Sequence, residues 1–245
     1  MPIEPPAAFS LLPWDSELFG YPVARLAPEG LRPELFPATL EQLRGQGVRL
    51  AYAQVPWSDQ ATRALLDGIG APMVDRKVTF GKALTGGSIP PAGVEAWQEG
   101  EVSAELEALA LASGHLSRFR TDAQVPSHVF PTLYKAWIRR SVLGEIADAV
   151  LVAREAGKLA GLVTLAQHGP VSEIGLVAVA DGCRGQGIGR RLMAAAEAWS
   201  DARKAGRLEV VTQGENAAAC ALYRSAGCLV VQEQAIYHVW MEPVG

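Results

Sequence analysis

The most constraining feature of the sequence is an apolar stretch, SEIGLVAVA (172–180), followed at once by the glycine-rich segment CRGQGIGRRL (183–192). A nearly continuous apolar run of this length predicts a β-strand covered on both faces. The alanine-rich residues after the glycines predict a helix over 188–204. Glycines between a strand and a helix let several backbone N–H groups point at one anion, beside the positive end of the helix dipole. The segment therefore predicts a phosphate-binding loop in an α/β fold.

Two familiar phosphate-loop patterns do not match this segment. The P-loop of nucleoside-triphosphate enzymes needs Lys-Ser or Lys-Thr after its last glycine, and neither is present. The dinucleotide pattern G-x-G-x-x-G fails because Arg190 or Leu192 stands where its third glycine is required. Glu209 lies about 20 residues after Gly189, where a ribose-binding acid would stand. A dinucleotide-dependent oxidoreductase therefore stays open as an alternative.

Composition excludes several other classes. The chain has 245 residues, 49% of them hydrophobic and 20% charged, with a net charge of −4, which argues against non-specific nucleic-acid binding. The three cysteines are odd in number and form no C-x-x-C pair, so we expect neither a disulfide framework nor a metal site. No apolar run approaches the roughly 18 residues of a membrane span, and the first residues do not resemble a signal peptide. We expect a cytoplasmic protein with no membrane partner.

The Gly-, Pro- and Ser-rich stretch 85–97 predicts a linker between an N-terminal domain, 1–85, and a larger domain, 95–245. In the N-terminal part we predict strands at 47–55 and 73–84 and a helix at 58–70, capped by Ser58 or Asp59. In the larger domain the periodicity predicts helices over 101–113, 127–144, 188–204 and 216–226, and strands over 148–155, 158–167, 172–180, 207–213 and within 228–241.

The order strand, R-x-x-G-x-G loop and helix resembles the acetyl-CoA loop of the GCN5-related N-acetyltransferase (GNAT) superfamily. The loop residues are Arg184, Gly185, Gln186, Gly187, Ile188, Gly189 and Arg190. About thirty residues later, Asn216, Tyr223 and Gly227 occupy the places where that superfamily typically has Asn, Tyr and Gly. The resemblance covers roughly 95–245, with one departure, because Asp181 replaces the proline usual before the loop.

The resemblance implies an α/β chain (α+β by some schemes) with the GNAT fold, a mixed central sheet flanked by helices, preceded by a smaller partial GNAT-like α/β domain. It implies acetyl-CoA as co-substrate, no metal, and transfer of the acetyl group to an amine by direct attack. The backbone of the strand end would bind the donor's pantetheine arm, and Tyr223 would be the general acid beside the sulfur. Glu173 stands where some members carry their base, although a water relay is an equal alternative. The residues expected at the strand end are Val177, Ala178 and Val179, with Asn216 further along the cofactor site.

Three segments resemble the nucleotide-sugar branch of the superfamily, the dTDP-fucosamine (dTDP-4-amino-4,6-dideoxygalactose) N-acetyltransferases of polysaccharide biosynthesis: LLPWDSELFGYPVARL (11–26), SRFRTD (117–122) and TQGENAAACALYRSAG (212–227). This likeness implies a nucleotide-linked amino sugar as acceptor. Arg118 and Arg120 would supply charge for its diphosphate, and Phe119 an aromatic surface. We keep open another small amine or a protein N-terminus as acceptor, a non-catalytic CoA-binding module, and a homodimer.

Overall fold

The computed structural model describes residues 7–242, which form two compact units. The first unit contains residues 7–77, 121–129 and 233–242, and the second contains 78–120 and 130–232. The first unit is therefore discontinuous, because short segments from later in the chain join its N-terminal residues. The division predicted from the linker, 1–85 and 95–245, stays a prediction.

The first unit has strands in the order β1-β2-β3-β10, with β10 belonging to it from residue 233. The β1–β2 and β3–β10 pairs are antiparallel, and β2–β3 is parallel. Its strands are β1 (Phe9–Leu11), β2 (Val23–Leu26), β3 (Leu50–Pro56) and β10 (Leu229–Trp240), and its helices are α1 (Pro13–Phe19), α2 (Phe36–Gly45) and α3 (Gln60–Gly68).

Successive side chains of β3 and β10 point to opposite faces of the sheet. Ala51, Ala53 and Val55 share one face, where Leu43 of α2 and Leu66 of α3 complete an apolar core. The predicted cap of α3 is confirmed, because the Asp59 carboxylate accepts from the Thr62 N–H at 3.0 Å.

Helix α1 is a feature that the sequence patterns did not predict. Pro13 opens it with a preset φ, and Gly20 ends it in the left-handed region at φ 76. The Ser16 hydroxyl donates to the Leu12 carbonyl at 2.7 Å and accepts from the Val23 N–H at 2.9 Å, which ties the helix to β2. Seven residues are too few for a helical period to stand out in the sequence.

The second unit holds a mixed sheet in the order β4-β9-β8-β7-β6-β5. The pairs from β5 to β8 are antiparallel, and β8–β9 is parallel. Its strands are β4 (Met73–Ala83, from residue 78), β5 (Val94–Ala96), β6 (Ala149–Glu155), β7 (Lys158–His168), β8 (Val171–Val179) and β9 (Arg207–Gln213). Its helices are α4 (Ala104–Ser113), α5 (Arg118–Thr121), α6 (Val129–Val142), α7 (Ile188–Ala202) and α8 (Ala217–Ser225). A mixed sheet with flanking helices confirms the predicted fold class.

Candidate active site

Strands β8 and β9 run parallel in the second unit, but their backbone pairing ends before β8 does. The pairing of β8 with β9 runs from Val171–Arg207 to Ile174–Val210 and ends there. On its other side β8 stays paired with β7 as far as Val179. The last residues of β8, including Val177, Ala178 and Val179, therefore have an edge that β9 does not cover. An uncovered strand edge offers backbone donors and acceptors to an extended polar ligand.

The glycine loop follows this open edge and gives α7 its N-terminus. Gly185 has φ 77 and Gly187 has φ 80, both in the left-handed region that favours glycine. No atom lies within 4 Å of where a β-carbon on either glycine would stand, so the space in front of the loop is open. The first backbone bond of α7 runs from the Arg191 N–H to the Gly187 carbonyl at 3.1 Å. The N–H groups of Ile188, Gly189 and Arg190 precede that bond, in the position that binds anions at helix N-termini.

Two of the three arginines in and after the loop form ion pairs, and the third is exposed. The Arg184 guanidinium lies 2.8 Å from an Asp181 oxygen, and Arg191 is paired with Glu155. Arg190 is exposed. The basic patch that the sequence indicates is thus partly neutralised, and the acid that replaces the usual proline holds Arg184. A phosphate group would have to compete with Asp181 for that guanidinium.

Tyr223 lies on α8 within the apolar core of the second unit, with 3% of its surface exposed. Its ring centroid is 5.6 Å from that of Phe80. Burial raises the pKa of the Tyr223 phenol far above its ordinary value, and neighbouring Cys220 and Cys228 raise it further. The phenol therefore keeps its proton throughout the neutral and alkaline range.

Asn216 caps α8, and Gly189 brings the loop close to the same helix. The Asn216 side-chain oxygen accepts from the Ala219 N–H at 3.1 Å, so this residue caps α8. A β-carbon on Gly189 would lie 3.2 Å from a Leu222 methyl carbon. The N-terminal turn of α7 thus approaches α8 one residue before Tyr223, and glycine permits that approach.

Glu173 lies in the closed part of the strand pair. It is exposed, and its register partners are Ala166 on β7 and Glu209 on β9. Four residues of extended chain separate it from Val177, a distance of about 13 Å. The structure thus places Glu173 next to another carboxylate and away from the open edge.

The predicted acceptor residues lie on the one-turn helix α5 and differ in exposure. Phe119 is only 8% exposed, and the Arg118 guanidinium carbon lies 4.3 Å from its ring centroid. The expectation that Phe119 offers an open aromatic surface is therefore wrong, because the ring is packed inside the unit. Arg120 is exposed and lies over the ring of Phe130 on α6, at 5.5 Å. Sequence reasoning missed Phe130, whose position ten residues along the chain gave no signal of this contact.

A buried polar cluster lies in the first unit. The Nδ1 atom of His238 lies 2.6 Å from the Asp122 carboxylate, which also accepts from the Trp240 indole N–H at 3.0 Å. The carboxylate is 6% exposed and the imidazole is fully buried. Burial raises the Asp122 pKa, but hydrogen bonds from His238, the Gln124 N–H and Trp240 outweigh it, and the net pKa is lowered. These groups hold the segment after α5 to β10.

Residues 7–242 contain neither a cluster of metal-binding side chains nor a membrane-spanning helix. Within that range no three His, Cys, Asp or Glu side chains converge as a metal site would require. None of the helices formed by the same residues is long and apolar enough to cross a membrane.

A protein-family profile matches a segment that lies mainly in the second unit. The profile of the acetyltransferase (GNAT) family matches residues 112–228, the range from the end of α4 to the residue before β10. No curated protein sequence matches the chain.

Solved structures share the fold at low sequence identity. A GCN5-related N-acetyltransferase from Sphaerobacter thermophilus has a TM-score of 0.62 at 18% identity, over 96% of this chain and 76% of that one. A tandem GNAT protein from the clavulanic acid biosynthesis pathway has a TM-score of 0.58 at 16% identity, over 92% and 77%. A glucosamine N-acetyltransferase region of a fungal multi-domain β-N-acetylglucosaminidase has a TM-score of 0.57 at 18% identity, over 89% and 30%. These likenesses show the fold alone.

The profile match covers the open strand edge, the glycine loop and Tyr223. Residues 112–228 match the acetyltransferase (GNAT) family, and this match together with the GNAT fold of the chain indicates acyltransferase activity.

Proposed function

We propose that the protein transfers the acetyl group of acetyl-CoA to the amino group of a nucleotide-linked amino sugar of the dTDP-4-amino-4,6-dideoxyhexose type. The observation that carries this proposal is the pair of arginines, Arg118 and Arg120, on the short helix α5 of the unit that contains the glycine loop. Guanidinium groups suit the charge and geometry of a diphosphate, and Arg120 is the exposed one of the two. The resemblance of 11–26, 117–122 and 212–227 to the nucleotide-sugar branch supports the same acceptor.

The residues around the open strand edge fit the acetyl donor. In the proposed site, N–H groups from Gly187 to Arg190 bind the pyrophosphate, supported by Arg184, Gly185, Gln186 and the cap residue Asn216. The backbone of Val177, Ala178 and Val179 pairs with the pantetheine arm. An N–H group on this edge also donates to the thioester carbonyl oxygen as negative charge develops there. The donor itself supplies an activated acetyl group to the attacking amine.

Tyr223 acts on the leaving sulfur in this proposal. An ordinary thiol has a pKa of about 8.5, well below that of a buried phenol, so complete proton transfer from Tyr223 to the thiolate is uphill. The favourable role is that of a hydrogen-bond donor, which stabilises charge on the sulfur as the carbon–sulfur bond breaks. Burial suits this role because it keeps the hydroxyl protonated.

Glu173 is the proposed base for the acceptor ammonium, acting through water. Its position in the closed part of β8, about 13 Å along the strand from Val177, is too far for direct contact, so the proton has to pass along a chain of several water molecules. The carboxylate is exposed and open to solvent, which lets the proton leave the site.

An amine panel tests the proposed acceptor. The full-length protein is incubated with acetyl-CoA and one of several amines, and released thiol is measured. The panel contains dTDP-linked 4-amino sugars, unlinked amino sugars, polyamines and peptides with free N-termini. We expect the highest kcat/KM with a dTDP-linked 4-amino sugar. A peptide or an unlinked amine that exceeds it would contradict the proposal.

A further inference from the structure

We infer that Phe130 and Arg120 form the surface that recognises the nucleotide half of the acceptor, with the base on the ring and the diphosphate on the guanidinium. The inference rests on the proposed function and deepens it. It also transfers the aromatic role from Phe119, whose ring is buried, to a residue on a different helix.

Two arginine–aromatic pairs lie near α5, and they differ in accessibility. In the first pair Arg118 is half-buried and covers the buried ring of Phe119 at 4.3 Å. In the second, Arg120 is exposed and lies 5.5 Å from the centroid of Phe130, which is half-buried. The first pair is a packing contact within the second unit. The second pair presents both a ring and a charge to solvent.

The Phe130 ring has rigid support. Its centroid is 4.8 Å from that of Tyr134, which in turn lies 5.0 Å from Trp137, so three rings follow one another along α6. Tyr134 is closely packed against the backbone of Gly114, where a β-carbon would come within 2.2 Å of the tyrosine ring. A ring supported in this way loses little conformational freedom when a base stacks on it.

The Arg120 side chain is the exposed partner of the pair. Its backbone is fixed by a hydrogen bond from its N–H to the Ser117 carbonyl at 2.8 Å, while its guanidinium is exposed. A separation of 5.5 Å between the guanidinium and the ring is at the loose end of cation–π contacts. The guanidinium can therefore move towards a phosphate and leave the ring face to a planar base.

Thymidine diphosphate alone is the probe, because it carries the base and the diphosphate but no amine to be acetylated. Its Kd is measured by titration calorimetry on the full-length protein and on Phe130→Leu, Phe130→Tyr and Arg120→Gln. Stacking of one base typically gives about ten-fold or more in affinity. We expect Phe130→Leu to weaken binding by about ten-fold, Phe130→Tyr to restore it, and Arg120→Gln to weaken it.

Trp97→Leu is the matched control, since it removes a partly exposed ring that lies 5.8 Å from the Arg154 guanidinium elsewhere in the second unit. It should bind thymidine diphosphate as the unmodified protein does, and all variants should keep their affinity for acetyl-CoA. Unchanged thymidine diphosphate binding by both Phe130→Leu and Arg120→Gln overturns the inference and leaves the proposed function standing. If the unmodified protein neither binds thymidine diphosphate nor acetylates dTDP-linked amines, the proposed function fails as well.

Discussion

The Thr164 hydroxyl accepts a hydrogen bond from the Leu176 N–H at 2.8 Å, at the irregularity where the β7–β8 register shifts. Thr164 is 2% exposed. The bond lies two residues beyond Ile174, where β9 leaves β8. The side chain thus replaces a backbone partner at the point where the strand pair opens.

We expect Thr164→Val to destabilise the protein by about 1–3 kcal/mol, because the buried Leu176 N–H loses its acceptor while the side-chain volume is preserved. Urea unfolding followed by circular dichroism measures the change. Thr164→Ser keeps the hydroxyl and should retain most of the stability that valine removes. A destabilised Thr164→Ser beside an unchanged Thr164→Val would mean that methyl packing, and not the hydrogen bond, matters at this position.

Tyr223→Phe should lower kcat while the affinity for acetyl-CoA stays nearly unchanged. Loss of a hydrogen bond that forms only as the sulfur leaves predicts a fall of about 100-fold. Because the Tyr223 pKa is raised, the unmodified enzyme should show no loss of activity from ionisation of this phenol up to about pH 10. Tyr237→Phe, which changes a buried tyrosine of the first unit, is the control. A Tyr223→Phe enzyme that is as fast as the unmodified one would exclude the assigned role.

Asp122→Asn should destabilise the protein at neutral pH by about 2–3 kcal/mol, since it weakens charge-assisted bonds to His238 and Trp240. The folded pKa of Asp122 is lowered, so its stabilisation is present above the unfolded pKa of about 3.9 and is lost as the pH falls through the folded value. The difference between the two proteins should therefore shrink in urea titrations below about pH 4. Asp181→Asn changes an exposed carboxylate and is the control. A difference that is constant with pH would refute the electrostatic account.

Much of this architecture could be predicted because glycines and helix caps act locally. The glycine positions indicated where β8 gives way to α7, and Asp59 marked the start of α3, since a cap or a left-handed residue depends on its immediate neighbours. The tight turn at Ala156 and Gly157, with φ 47 and 80, likewise lies between the predicted strands 148–155 and 158–167.

The contacts that decide the site could not be predicted, because they depend on how distant segments pack. Glu155 neutralises Arg191 across 36 residues, and Asp122 meets His238 across 116. Phe119 and Phe130 have the same side chain, and only packing decides which of them reaches the surface.

The central claim is that the glycine loop binds the acetyl donor, and Gly187→Ala tests it most directly. Gly86→Ala is a closely matched control, because both glycines have φ 80 and open space around the missing β-carbon. Each substitution should cost about 1–2 kcal/mol of stability through left-handed strain. Titration calorimetry with acetyl-CoA should show an affinity at least ten-fold weaker for Gly187→Ala and unchanged for Gly86→Ala. Equal acetyl-CoA affinity in the two variants would contradict the assignment of the loop.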